Sequence, residues 1–192
     1  MTIDPRRTAL LVMDFQNGII ARLGDPEPPL RAAERAVAWA RGNGIQVGYV
    51  RVAFTGADYE AFPPTSRMGE RAREAGDALR DDSPATQIHE RIAPEPGDII
   101  VRKTRVGAFS TTDLHEQLRD RGVDTLVLAG ISTSGVVLST VRDAHDRDYA
   151  LYVVSDASAD PEAEVHDFLM TRVFPRQAEI ATVGALEQLL GD

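Results

Sequence analysis

Twenty of the 21 basic residues in this chain are arginine, and Lys103 is its only lysine. Arginine is effectively always protonated, whereas a lysine amine is compact and its pKa moves readily on burial. In a chain that uses arginine wherever positive charge suffices, a lone lysine marks a place that wants the smaller, adjustable group. The run Ile99-Ile100-Val101-Arg102-Lys103 closes an apolar stretch and precedes Gly107-Ala108-Phe109, the pattern of a strand emerging into a loop. Asp14 stands in the same setting after Ala9-Leu10-Leu11-Val12-Met13. A carboxylate at the end of an apolar strand is costly unless paired, and Lys103 is the partner that would relieve it. A chance surface lysine and a loop-anchoring aspartate are the bland alternatives; two such groups at two strand exits favour acid–base chemistry.

A third segment, Gly130-Ile131-Ser132-Thr133-Ser134-Gly135-Val136, follows the apolar run Thr125 to Ala129 and opens a helix. Glycine and small hydroxyl residues at a helix start are ordinary capping chemistry, so the turn is informative only beside Asp14 and Lys103. The absence of cysteine excludes disulfides, thiolate metal sites and thiol nucleophiles. The histidines, His89, His115, His145 and His166, are dispersed and read as surface or helix-face residues. Neither a metal nor a cofactor is expected.

The elements needed to position these groups follow from the hydrophobic pattern. Continuous apolar or β-branched runs predict strands at 9–13, 45–53, 98–103, 125–129, 150–155 and 179–182. Helical periodicity and capping signals predict helices over 28–42, 111–122, 133–147, 161–174 and 184–190. The stretch 54–84, rich in Gly, Pro and Arg, reads as loop with a short helix. Strands that alternate with helices and are apolar on both faces imply a parallel sheet covered on both sides. The expectation is one domain over residues 1–192, a three-layer α/β/α architecture with a six-stranded, mainly parallel Rossmann-like sheet. In such a sheet the strand exits share one edge, where ligands bind.

The 192 residues suit one domain with a sizeable core, and the net charge of −9 with scattered acidic residues argues against nucleic-acid or anionic-membrane binding. No apolar run approaches a membrane span or the apolar core of a secretory signal. A cytoplasmic protein acting on a small molecule is the expectation.

The three segments together resemble the signature segments of the isochorismatase-like hydrolases: Ala9 to Asn17 with Asp14 and Gln16, Lys103 to Phe109, and Gly130 to Ala144. Tyr149 to Asp156 with Ala157, then Glu164 and His166, fits the same pattern. The resemblance covers essentially the whole chain and implies a six-stranded mainly parallel sheet, a homodimer or homotetramer, and a cis peptide between Ile131 and Ser132. Amidase members of this family carry a nucleophilic cysteine completed by an Asp and a Lys. The alignment places Val136 where that cysteine would stand, and Asp14 and Lys103 at the other two positions. Isochorismatases also lack the thiol and hydrolyse a vinyl ether, which needs a proton donor. Burial would raise the Asp14 pKa and Lys103 would lower it, and the sequence leaves the balance open. The metal-dependent nicotinamidases of the family have an Asp and two His after the second strand, where this chain has Arg51 to Asp58 without histidine.

The resemblance therefore implies a small-molecule hydrolase of isochorismatase type. Its catalytic residues would be Asp14 and Lys103, and its substrate-binding residues Gln16, Phe54, Arg105, Phe109, Ile131, Ser132 and Val136. Tyr59, Phe62 and Arg67 are further pocket candidates, with Arg67 or Arg105 pairing a substrate carboxylate. Two alternatives stand: a scaffold that kept the fold and lost catalysis, and an amidase using another nucleophile, such as Ser132, Ser134 or Ser139.

Overall fold

The computed structural model describes residues 3–190. The chain enters the sheet at its centre. β1 (Thr8–Met13) is followed outward by β2 (Gln46–Val52) and β3 (Ile99–Lys103); the chain then returns to β1's other side for β4 (Thr125–Ile131), β5 (Ala150–Ala159) and β6 (Glu179–Ala181). The order is β3-β2-β1-β4-β5-β6, and every pairing is parallel. The sheet expected to be mainly parallel is thus wholly parallel. The winding reverses between β1 and β4, and the crevice above that reversal is where doubly wound sheets bind ligands.

All six residues of β1 are buried, because each face of the sheet is covered. Leu10 and Val12 pack with Ala33, Ala36 and Val37 of helix α2 (Glu27–Gly42) on one side. Ala9, Leu11 and Met13 face the other way, onto Leu114 and Leu118 of α5 (Leu114–Asp120) and Val141 and Ala144 of α6 (Leu138–Asp146). Alternation along a strand buried on both faces explains why the sequence shows a solid apolar run.

The helices depart from the sequence expectation in ways that local chemistry explains. The helix expected from 133 begins as a wide π turn over Thr133–Val137 before α6, in a Thr-Ser-Gly run with weak helix preference. The helix expected from 111 starts later, because Thr112 turns its hydroxyl back onto the Ala108 carbonyl (2.7 Å) and Thr111 accepts from the Thr104 amide (2.9 Å). The helix expected over 161–174 is α7 (Ala163–Phe168), a π turn (Leu169–Val173) and a 3₁₀ turn carrying Pro175, where proline cannot continue the α ladder. β5 runs four residues past Ser155, resuming its pairing at Gly130↔Ser158 after a register shift.

The stretch 54–84, expected as loop with one short helix, contains two capped helices. α3 (Gly56–Ala61) has a capping box between Thr55 and Asp58, and α4 (Arg67–Ala75) is capped by Ser66. A further short helix, α1 (Asn17–Ile20), follows β1; α8 (Val183–Leu186) closes the fold near its end.

Gly130 lies where β4 meets β1 and the turn beyond it. A Cβ there would sit 2.9 Å from Val137 Cγ2 and 3.2 Å from the Met13 carbonyl oxygen. Gly130→Ala should therefore destabilise the fold by about 1–3 kcal/mol, read as a lower urea midpoint with an unchanged slope.

Candidate active site

Asp14 and Lys103 do not end neighbouring strands: β2 lies between them. Two strand spacings are about 10 Å, and the long lysine stem spans the end of β2. Its Nζ reaches Asp14 Oδ2 at 2.8 Å, with both side chains almost wholly buried. The same ammonium donates to the Val106 carbonyl at 2.8 Å and the Arg105 carbonyl at 3.2 Å. Three donors thus meet three acceptors, a match that a planar five-donor guanidinium could not make.

The carboxyl group is less completely used. Oδ2 is taken by Lys103, whereas Oδ1 is buried without a hydrogen-bond partner among the described residues. Burial pushes the Asp14 carboxyl above its ordinary range, and the opposing pull of Lys103 is the smaller effect. The backbone at Asp14 has a φ of 58°, the left-handed region that a residue with a Cβ occupies at a cost of about 1 kcal/mol or more. The Asp14 amide is fixed to the Val50 carbonyl at 2.8 Å.

The third segment closes over this pair. The Ile131–Ser132 peptide is cis, as the resemblance implies. The following turn is tight: a Cβ on Gly135 would lie 2.7 Å from Ser132 Oγ. Asp14, Lys103, Ile131, Ser132, Gly135 and Val136 together line a cleft of about 540 Å³. Its outer walls are largely apolar, with Ile19, Leu23, Met68, Leu79 and Val106, and its rim carries Arg22, Arg71 and Glu74.

Other expected ligand residues lie outside the cleft lining. Gln16 is buried with its amide spent: Nε2 donates to the Val52 and Thr86 carbonyls (2.9 and 2.7 Å), and Oε1 accepts from the Val52 amide (2.8 Å). It clamps the end of β2 to the 84–86 turn. Phe54 is buried among Tyr59 and Phe62. Arg105 stacks on the Phe62 ring, 4.6 Å from its centroid, and Arg67 is exposed beside Glu70. Phe109 stacks on Tyr149 in the core of the opposite face.

Sequence reasoning missed Arg22 and Arg71. Arg71 shares one face of α4 with Met68 and Ala75, the three-and-four spacing of a helix following the Ser66 cap. Reading 54–84 as loop with an unplaced short helix hid that signal. Among the described residues no group of three or more His, Cys, Asp or Glu could hold a metal.

This architecture has known counterparts. The isochorismatase domain family matches residues 8–185. The chain belongs to the isochorismatase family. The Escherichia coli O157:H7 family protein YecD is 35% identical over 99% of this chain and 98% of its own length. The ureidoacrylate amidohydrolase RutB of Methylobacterium radiotolerans is 33% identical over 100% of this chain and 82% of its own. An isochorismatase family protein of Burkholderia thailandensis superposes with a TM-score of 0.81 at 29% identity, covering 98% of this chain and 97% of that one. The present chain is thus an enzyme of the hydrolase type found in this family, one without a cysteine.

The clamp at Gln16 separates support from ligand binding. Gln16→Leu should cost about 1–3 kcal/mol for each buried partner left unpaired, measured by denaturant unfolding. The folded variant should keep its substrate KM.

Proposed function

We propose that this protein hydrolyses a small vinyl or enol ether, or a related C–O bond, by general acid catalysis from Asp14 tuned by Lys103. The observation that carries the reading is the Asp14 carboxyl: one oxygen on Lys103, the other buried and unengaged, in a cleft whose turn offers Val136 and no thiol. A neutral Asp14 carboxylic acid can give its proton to the β-carbon of an enol ether as the C=C π pair takes it up. Water then adds to the resulting oxocarbenium carbon and returns a proton to Asp14. Collapse of the hemiketal breaks the C–O bond and yields an alcohol and a ketone. Lys103 holds Oδ2 throughout and favours the carboxylate once the proton has left.

An amide substrate, as the RutB name describes for that relative, would need a nucleophile activated by a base. Among the described residues, none of the hydroxyls of Ser132, Ser134 and Ser139 is hydrogen-bonded to a base; the neighbouring His166 is engaged by Thr133 instead. The rim supplies the second anchor. Arg22 and Arg71 form no ion pair with a described residue, and they replace Arg67 and Arg105 as the groups suited to a substrate carboxylate.

The deciding experiment is a mass-spectrometric screen of the purified protein against isochorismate, related enol ethers and small amides. Turnover of an enol ether supports the reading; turnover confined to amides overturns it. On the validated substrate, Asp14→Asn should lower kcat by about 10²- to 10⁴-fold while circular dichroism stays native, and Lys103→Arg should also be severely impaired. Val136→Ala should be mild, and thiol reagents without effect. Full activity in Asp14→Asn would sink the acid role. Arg71→Gln should raise KM with little change in kcat; an unchanged KM would remove Arg71 from the substrate.

The pH dependence follows from the raised Asp14 pKa. The acid form is required, so kcat/KM should fall as pH rises through the raised value. Stability moves the same way: the folded carboxyl holds its proton more tightly than the unfolded one. Its contribution is complete below the ordinary carboxylate range and is lost as pH rises through the folded value.

A further inference from the structure

The turn that lines the cleft is held from outside by one short segment after β5. Thr133 Oγ1 lies 2.8 Å from His166 Nδ1, and the Ser134 amide donates to Asp160 Oδ2, also at 2.8 Å. Pro161, between those two partners, is itself part of the cleft wall. Thr133 is wholly buried, and its hydroxyl has no other hydrogen-bond partner among the described residues. His166, at half burial on α7, is the one histidine bonded to this turn.

This hydrogen bond is sensitive to protonation. With the ring proton on Nε2, Nδ1 accepts the Thr133 hydroxyl. A second proton occupies Nδ1 and makes it a donor, so the bond must reverse. The Thr133 proton is then left in the interior without an acceptor, the costly state for a buried polar group. Asp160 and Asp167 are the charged groups acting on the imidazole, and Asp160 is already engaged by the Ser134 amide. Burial keeps His166 below the ordinary histidine range despite both carboxylates, so the neutral ring is the resident form near neutral pH.

We propose that His166 is a positioning residue: as a neutral imidazole it holds, with Asp160, the Ser132–Val136 turn in the shape that completes the cleft, and its protonation releases that turn. The inference holds whichever bond the site cleaves. It gives the cleft an acid-side limit separate from the alkaline limit set by Asp14.

Amide hydrogen exchange on the full-length protein tests this without a substrate. Exchange of peptides covering residues 131–137 would be followed from about pH 8 to pH 5, corrected for intrinsic rates, beside an NMR titration of the His166 ring protons. Protection of that turn should fall about threefold to tenfold, the worth of one hydrogen bond, with the midpoint of the His166 titration. Peptides of β1 should stay protected. In His166→Asn, where Oδ1 can replace Nδ1 as acceptor, protection should be kept and lose its pH dependence. In Thr133→Val it should be reduced at every pH.

Corrected protection that is flat with pH in the unmodified protein would overturn the proposal, as would a wild-type pH response retained in Thr133→Val. Loss of protection in β1 together with the turn would do the same, since it marks global unfolding. Once a substrate is in hand, the acid limb of kcat/KM should vanish in His166→Asn. A failed acid role for Asp14 leaves the exchange result standing, so the two readings fail separately.

Discussion

The structure is organised around one buried contact between an amine and a carboxyl group that crosses a strand. Lys103 and Asp14 meet at 2.8 Å over the end of β2, and each would be an expensive group to bury alone. The pair fixes what surrounds it. The ammonium needs two carbonyls, which the 105–106 loop turns inward to supply. The carboxylate needs a backbone bend at Asp14 that takes φ to 58°. Such a pair is weak evidence for stability, since well-packed apolar groups would serve as well or better. Its presence at the winding reversal of the sheet is better accounted for by chemistry.

Family membership and fold describe the frame and leave the reaction to be decided by particular atoms. The frame is shared with relatives whose names point to different bonds, so the distinction rests on what this chain has at the site. Here the turn offers Val136, buried and without a lone pair, in the same cleft as Asp14, whose Oδ1 has no hydrogen-bond partner among the described residues. The proposed proton donation rests on that arrangement. The cleft sets arginines on its rim above apolar walls, a lining common to small-molecule sites.

Much of this was legible in the sequence because strand exits announce themselves. Solid apolar runs located β1 and β4, and the lone lysine pointed to the one place where arginine would not serve. The resemblance supplied the Ile131–Ser132 peptide and the vacant cysteine position. What stayed hidden depends on contacts across the fold. Gln16 looks like a ligand from its place beside Asp14, yet its amide is consumed by Val52 and Thr86, more than 30 residues away. Phe109 is aromatic and follows Lys103, but the chain turns it into the opposite core. Arg22 and Arg71 come to line one cleft only in the folded chain, and no local pattern joins them. The late start of α5 reflects threonine hydroxyls that bond locally instead of letting the helix begin, and the π turn at Thr133 falls in a Thr-Ser-Gly run with weak helix preference.

The position of β3 has a consequence for how the acid is controlled. β3 is an edge strand of five residues, with Ile100 on its outward face exposed. Edge strands open more readily than central ones. Yet this strand carries the cation that meets a carboxyl two strands away, at the centre of the sheet. Any opening of that edge would therefore change the proton affinity of Asp14. Whatever braces β3 from outside, or loosens it, acts as a tuning screw on the centre of the site without touching it.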